Sequence, residues 1–220
     1  MFQGELELFR TVRTTTLGFA NALTEEQAAF VPAPGKWSIG EVLDHILLAE
    51  LLYRDRFMKL IEMKKSGQKP ELRSDFTEIN TSVMFIPKPM LPLLETPFKM
   101  MNLFVPTAVR EAMTRYRVLP AQAPSIAIPR KGRSVTRLTD ELLTSMEQTE
   151  NLFQNNPELD YREMMLSHPL MGNNNVLQLL RIMSMHEQRH QEQMRSVQRS
   201  RSYPQETGAN RGSHDSRGAL

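Results

Sequence analysis

The sequence contains no cysteine. This absence excludes disulfide bonds, thiolate nucleophiles and zinc sites built from cysteine, and it fits a reducing compartment, although many exported proteins also lack cysteine. The chain also lacks any apolar run near the ~18–20 residues needed to span a bilayer. Its N-terminal stretch, MFQGELELFRTVRTTT, has acidic residues from the start and no apolar segment of the kind that a signal peptide has. We therefore expect a soluble, cytoplasmic protein without a membrane role.

The chain has little net charge, with 27 Lys+Arg against 25 Asp+Glu. The basic excess lies near the C-terminus, where five arginines and two acidic residues follow from position 195 onward. This stretch is polar and rich in Gly, Ser and Arg, a composition that cannot bury enough apolar surface to fold. A short tail of this kind is more often a solvated chain end than a nucleic-acid arm. We expect residues 200–220 to be disordered and no nucleic acid to be bound.

Helical periodicity dominates the rest of the chain. Apolar residues recur at i, i+3 and i+4 in four long segments, each predicting one amphipathic helix. These segments are, in chain order, about 2–23, 38–65, 134–155 and 174–199. A capping-box pattern from Thr24 to Gln27 predicts a further short helix that ends near Phe30. The sequence therefore predicts an all-α four-helix bundle that forms one domain over residues 1–199.

The second long helix has the most complete start signal. Ser38 is a favourable N-cap, and Glu41 stands three residues later, where its side chain can reach back to the cap. Glu41 could also act as a base near a metal site, but we assign it to the cap. His45, one turn further, falls on the apolar face of this helix.

A long insertion, about residues 66–132, separates the second and third long helices. It contains FIPKPMLPLLETPFKMMNLFVP and then TAVREAMTRYRV, which has the pattern of a short helix. A connection this long is uncommon as plain loop and is often a lid or a binding element. An irregular cap that closes one end of the bundle is an equally good interpretation, and both stay open. The prolines prevent the continuous apolar face that binding to a membrane surface would need.

The stretch His186-Glu-Gln-Arg-His190 contains the pattern H-E-x-x-H. On a helix the two histidines share one face, ~5–6 Å apart at Cβ, with a glutamate that can act as general base. His45 lies on the inner face of another helix, and ligands from facing helices meet in a bundle core. Spacing alone therefore favours a metal site of these three histidines. Independent core histidines, each with its own hydrogen-bond partner, remain the alternative.

A zinc protease is a poor fit to this context. The metzincin pattern would continue with glycine at 193 and histidine at 196, but the chain has Gln193 and Ser196. A zinc site of the thermolysin type would need a downstream carboxylate as its third ligand. The candidate, Glu206, falls in the expected tail. No strand is predicted that could hold an extended peptide. Glu187 is rotated ~100° from His186 on a helix, so it is either close to the metal or simply solvated. His168 is expected to fix the loop before the last helix rather than to bind metal.

Three stretches, which occur in the order in which the family has them, resemble the DinB-like (DinB/YfiT) superfamily of metal-binding four-helix bundles. They are PGKWSIGEVLDHILLAE, SHPLMG and MHEQRHQEQM. The resemblance implies a divalent ion, commonly zinc or nickel, held by three histidines with water in the open positions. Carried over to this chain, the ligands are His45, His186 and His190. Members of the family are described as metal-dependent hydrolases, as thiol-dependent S-transferases or isomerases, or as stress-related proteins of unknown function.

The expected function is that of a divalent-metal-binding protein acting on a small molecule. A bound ion can lower the pKa of its water toward ~7 for hydrolysis, or it can ionise a low-molecular-weight thiol for an S-transferase reaction. Without cysteine, the sulfur must come from a co-substrate. Glu187 is the candidate catalytic base. The alternative is a non-enzymatic, stress-associated metal-binding bundle that acts through dimerisation.

Overall fold

The computed structural model describes residues 2–73, 109, 127–168 and 172–205. Within these residues the elements are, in chain order, α1 (Gln3–Asn21), α2 (Glu25–Ala29), α3 (Ile39–Lys65), β1 (Glu71–Arg73), α4 (Val135–Gln154), β2 (Met165–His168), β3 (Gly172–Asn175) and α5 (Val176–Gln198). The long helices α1, α3, α4 and α5 begin and end within two residues of the bounds that the periodicity predicts. The predicted all-α four-helix bundle is confirmed.

Helices α1 and α3 lie diagonally across the bundle, and each packs against both α4 and α5. Phe2, just before α1, contacts Phe153 near the end of α4. Asp44, near the start of α3, pairs with Arg133, just before α4. Helices α3 and α4 therefore start at the same end of the bundle, which is the end where α1 finishes. Because α3 and α4 run in the same direction, the chain between them is a crossover from one end to the other, which explains why the connection is long.

The buried apolar residues form two clusters, one toward each end of the bundle. On α1 the cluster residues Phe9 and Leu17 lie on either side of a buried arginine, Arg13. Buried carboxylates occupy the matching places on α3 and α5, at Glu50 and Glu187. A layer of charged side chains thus separates two apolar halves of the core.

A small sheet, which the sequence does not predict, lies at the end of the bundle where α3 finishes and α5 begins. Its order is β1-β2-β3, with β1 parallel to β2 and β2 antiparallel to β3. Strands of three or four residues are too short for alternation to reveal them. β3 runs directly into α5, and His45 lies twenty residues before the end of α3, about 30 Å along the helix axis. The strands, and His168 at the end of β2, are therefore remote from the His45 end.

The predicted insertion, 66–132, lies outside the described residues except at 66–73, 109 and 127–132. The choice between a lid and a cap, and the short helix predicted within it, are therefore not tested. Residues 206–220 of the predicted tail also lie outside. None of the described helices combines the length and the apolarity that crossing a membrane requires.

The start of the tail differs from the expected disorder. Tyr203 is 7% exposed, and its ring packs edge-on against Phe30, with the ring centroids 5.6 Å apart. The side-chain amide of Gln27 donates to the carbonyl oxygen of Pro204 at 3.1 Å. Residues 200–205 are thus held against α2, because an aromatic residue within a polar stretch finds an apolar partner there.

The capping box of α3 leads to a stability prediction. Ser38 Oγ accepts from the Glu41 N–H at 3.1 Å, and Glu41 Oε2 accepts from the Ser38 N–H at 2.8 Å. We expect Ser38→Ala to lower the free energy of unfolding by about 1 kcal/mol, because it leaves a buried N–H without its acceptor. Urea denaturation measures the loss. The control, Ser196→Ala on the exposed face of α5, should stay within about 0.5 kcal/mol of the wild type; equal effects for the two variants would contradict the prediction.

Candidate metal centre

The structure brings the predicted ligands His45, His186 and His190 together between α3 and α5. The Nε2 atom of His186 lies 3.4 Å from Nε2 of His45 and 3.1 Å from Nε2 of His190. One ring nitrogen from each residue can be chosen so that all three lie within 4.8 Å of one another. His45 and His190 are each 4% exposed, while His186 is half-buried. The three imidazoles therefore converge on one point that is not fully closed.

Local sequence explains this convergence. His186 and His190 are one turn apart on α5, so they share a face. His45 lies in the second turn of α3, just after the capping box that starts the helix at Ser38. The ring of Trp37, which precedes that cap, packs against the ring of His45 with the centroids 5.0 Å apart. The helix start that the sequence predicts thus also places the first histidine.

Two of the imidazoles are oriented by oxygen acceptors. Nδ1 of His45 lies 2.7 Å from the carbonyl oxygen of Ala127, and Nδ1 of His190 lies 2.9 Å from Oε1 of Gln193. Because these oxygens can only accept, each Nδ1 carries the proton and each Nε2 is left as an acceptor. Nε2 of His190 also lies 3.3 Å from Nη2 of Arg189, which can donate to it. Metal-binding histidines are commonly oriented in this way by a carbonyl or carboxylate behind the ring.

The donor set fits a divalent ion. Nitrogen ligands lie ~2.0–2.1 Å from zinc, so two imidazoles that share one ion have nitrogens ~3–3.5 Å apart. The Nε2 pairs at 3.1 and 3.4 Å lie in this range. The same distances also allow Nε2–H of His186 to donate to a neighbouring ring, so the spacing fits a shared ion without requiring one. The three residues could therefore hold one ion of a metal that accepts neutral imidazole.

The pKa values of His45 and His186 keep these two histidines available as ligands. Burial lowers the pKa of His45, and the nearby Arg189 acts in the same direction. Desolvation, with the neighbouring His190 and Arg189, lowers the pKa of His186 well below its usual value. Both rings are therefore neutral at pH 7, so that a metal does not have to displace a proton from them.

Glu187, the candidate catalytic residue, is buried and paired. It is 2% exposed, so the interpretation that it is simply solvated is wrong. Its two oxygens accept from Nε and Nη2 of Arg13, both at 2.9 Å, which is the bidentate geometry of a strong ion pair. To take a proton from a substrate, this carboxylate would have to leave that pair. Its catalytic role stays a prediction.

Arg13 connects all the bundle helices beside the histidines. Its Nη1 atom donates to Glu50 Oε2 at 2.7 Å and to the carbonyl oxygen of Leu142 at 3.0 Å. Thr149 donates to the other Glu50 oxygen at 2.7 Å. A cavity of about 20 Å³, with room for about one water, lies between this network and His186. The charged layer of the core thus borders the same cavity as His186, one of the three candidate metal ligands.

Asp44, the residue before His45, is fully buried. It accepts from the main-chain N–H of Arg130 at 2.7 Å and from the guanidinium groups of Arg130 at 2.8 Å and Arg133 at 2.7 Å. Burial alone would raise the pKa of Asp44, but these hydrogen bonds outweigh it and hold the pKa below its usual value. This carboxylate is therefore charged and ties the segment 127–133 to α3.

Sequence reasoning missed several residues that support the cluster. Arg13 left a signal, because it falls on the apolar face of α1 and a charged residue there must find buried partners. Asp44 left no such signal, because it is rotated ~100° from His45, away from the apolar stripe of α3. The carbonyl oxygen with which Ala127 orients His45 has no signal in the sequence, because every residue has a carbonyl oxygen. Glu41 does belong to the capping box, as expected.

A helical bundle with three converging imidazoles between two facing helices defines a class of proteins that can hold a metal ion in the core. The family model described as the DinB superfamily matches residues 8–194. The chain belongs to the DinB superfamily, and the resemblance found in the sequence is confirmed. Comparison with curated proteins and with solved structures gives no match.

The Arg13 network leads to a second stability prediction. Arg13→Met would leave Glu187 buried without its cation and Glu50 with only Arg54 at 4.0 Å, so we expect a loss of about 3–5 kcal/mol in the free energy of unfolding. The matched control is Arg10→Met, less than one turn earlier on α1. Arg10 is 44% exposed and pairs with Glu150, and loss of an exposed pair costs about 0–1 kcal/mol. Guanidinium denaturation compares the two, and losses of equal size would contradict the prediction.

Proposed function

We propose that His45, His186 and His190 bind one divalent metal ion, zinc or nickel, and that the chain is a metal-dependent enzyme acting on a small molecule. The reaction is hydrolysis or the transfer of a low-molecular-weight thiol. The observation that carries the proposal is the convergence of three Nε2 atoms, two of them oriented by acceptors on Nδ1. Membership of the DinB superfamily supports it.

The chain's own residues prepare the site for an ion with an accessible face. When bound, such an ion ionises a coordinated water or thiol near neutral pH. Three neutral imidazoles leave the charge of the ion uncompensated, which favours that ionisation. His186 is half-buried while the other two ligands are buried, which supports access to the cluster beside His186.

The carboxylates next to the ligands favour a nucleophile that the ion itself ionises. Glu187 is held by Arg13, Glu41 by the N–H of Ser38, and Asp44 by two arginines. Each of these groups already accepts hydrogen bonds and would lose them on acting as a base. This supports a reaction whose acid–base chemistry takes place at the ion. Because the chain has no cysteine, a sulfur nucleophile is a co-substrate.

Metal analysis tests the site. After loading with Zn²⁺ or Ni²⁺ and gel filtration, we expect one ion per chain in the wild type, measured by mass spectrometry of the metal. Removing any one imidazole leaves an incomplete donor set, so His45→Ala, His186→Ala and His190→Ala should each lose stoichiometric binding. His214→Ala, in the polar C-terminal stretch, is the control and should keep the ion. A wild type without stoichiometric ion, or full retention in His45→Ala and His186→Ala, would refute the site.

Turnover assays separate the two reactions. The metal-loaded protein is offered ester and amide substrates, and electrophilic acceptors with and without a low-molecular-weight thiol. Turnover that requires the thiol identifies a transferase, and turnover without it identifies a hydrolase; either activity should disappear on chelation and in His186→Ala, because both need the ion.

The rival function predicts a different result in the same samples. A non-enzymatic bundle would bind stoichiometric metal, show no turnover with any substrate class, and form a metal-dependent dimer in analytical ultracentrifugation. That combination would replace the enzymatic proposal while leaving the metal site intact.

A further inference from the structure

The segment 127–133 is attached to α3 by two consecutive residues. The Asp44 carboxylate takes four hydrogen bonds from this segment: from the Arg130 N–H at 2.7 Å, from the Arg130 side chain at 3.3 and 2.8 Å, and from Arg133 at 2.7 Å. The next residue on the helix, His45, donates from Nδ1 to the Ala127 carbonyl at 2.7 Å. One of these two anchors is a metal-ligand candidate, and the other is a fully buried charge.

The chain between the two anchors is stiff. The attachment points, Ala127 and Arg130, are separated only by Ile128 and Pro129. The proline ring locks its own φ angle, and it restricts the preceding residue to extended conformations. Because of this stiffness, moving Arg130 away from Asp44 also moves the carbonyl group of Ala127.

From this geometry we propose that Asp44 is a positioning residue of the metal centre: it holds Ala127 where its carbonyl oxygen fixes the tautomer and the orientation of His45. The inference rests on the proposed metal binding. Asp44 does not face the converging Nε2 atoms; it acts through the segment 127–133. Without this anchor, Nδ1 of His45 loses a fixed acceptor, and its Nε2 lone pair is no longer held toward His186.

The experiment uses Co²⁺ as the probe on the full chain. We compare the wild type with Asp44→Ala and Asp44→Asn. The control is Asp55→Asn, an exposed residue of the same helix that pairs with Lys59. Three quantities are measured: the Co²⁺ affinity by competition with a chelator, the visible spectrum of the bound Co²⁺, and the tautomer of His45 in the metal-free protein by long-range ¹H–¹⁵N NMR.

We expect Asp44→Ala to weaken Co²⁺ binding by about 10–100-fold, the usual effect of removing an outer-sphere partner of a metal ligand. The bound Co²⁺ spectrum should change, and the metal-free His45 should no longer be confined to the Nδ1–H tautomer. Asp44→Asn keeps an oxygen that can accept from the Arg130 N–H, so it should lose less affinity. Asp55→Asn should match the wild type in all three measurements.

A merely structural role for Asp44 would give a different pattern. Asp44→Ala would then lower the melting temperature but keep wild-type Co²⁺ affinity and the Nδ1–H tautomer, which would overturn the inference. If Asp44→Ala does not fold, Arg130→Gln decides the matter, because it removes the guanidinium contacts of a side chain that is 58% exposed. Wild-type affinity in both Arg130→Gln and Asp44→Asn would also overturn it. If the wild type itself binds no Co²⁺, the proposed function fails, and this inference fails with it.

Discussion

The buried guanidinium of Arg13 is the constraint on which the rest of the bundle depends. Burial would by itself lower the pKa of this group, but the carboxylates of Glu187 and Glu50 more than compensate, and the pKa is raised. A cation in this position requires acceptors from its neighbours, and they come from α3, α4 and α5. These bonds form only when Glu50, Leu142 and Glu187 face Arg13, so the network restricts how the helices face one another.

The same constraint positions the candidate metal ligands on α5. Glu187 must point at Arg13, and because His186 precedes it and His190 follows within one turn, the rotation of α5 also decides where both imidazoles lie. The glutamate of the H-E-x-x-H pattern thus has a structural partner across the core. The candidate ligands come from α3 and α5, and the charged layer that joins these helices shares a cavity with His186.

Much of the fold and part of the site could be predicted because the information is local. Helical periodicity, capping boxes at Thr24 and Ser38, and the spacing of His186 and His190 all act within one helix, so a single stretch of sequence contains them. The pairing of β1 with β2, the packing of Tyr203 on Phe30, and the acceptor from Ala127 each join segments that are far apart along the chain. Pairings of this kind leave no periodic pattern, and a main-chain carbonyl leaves no pattern at all.

The sequence by itself determined which residues are helical, which faces are apolar, and that His45, His186 and His190 lie on those faces. Only the tertiary structure decided that Arg13 and Glu187 pair across the core and that Asp44 secures the segment behind His45. The physical reason is that a helix face follows from the order of residues alone, through a fixed rotation per residue. The partner of a buried charge depends on which helices are neighbours and how far each is rotated, and that is settled only when the whole core packs.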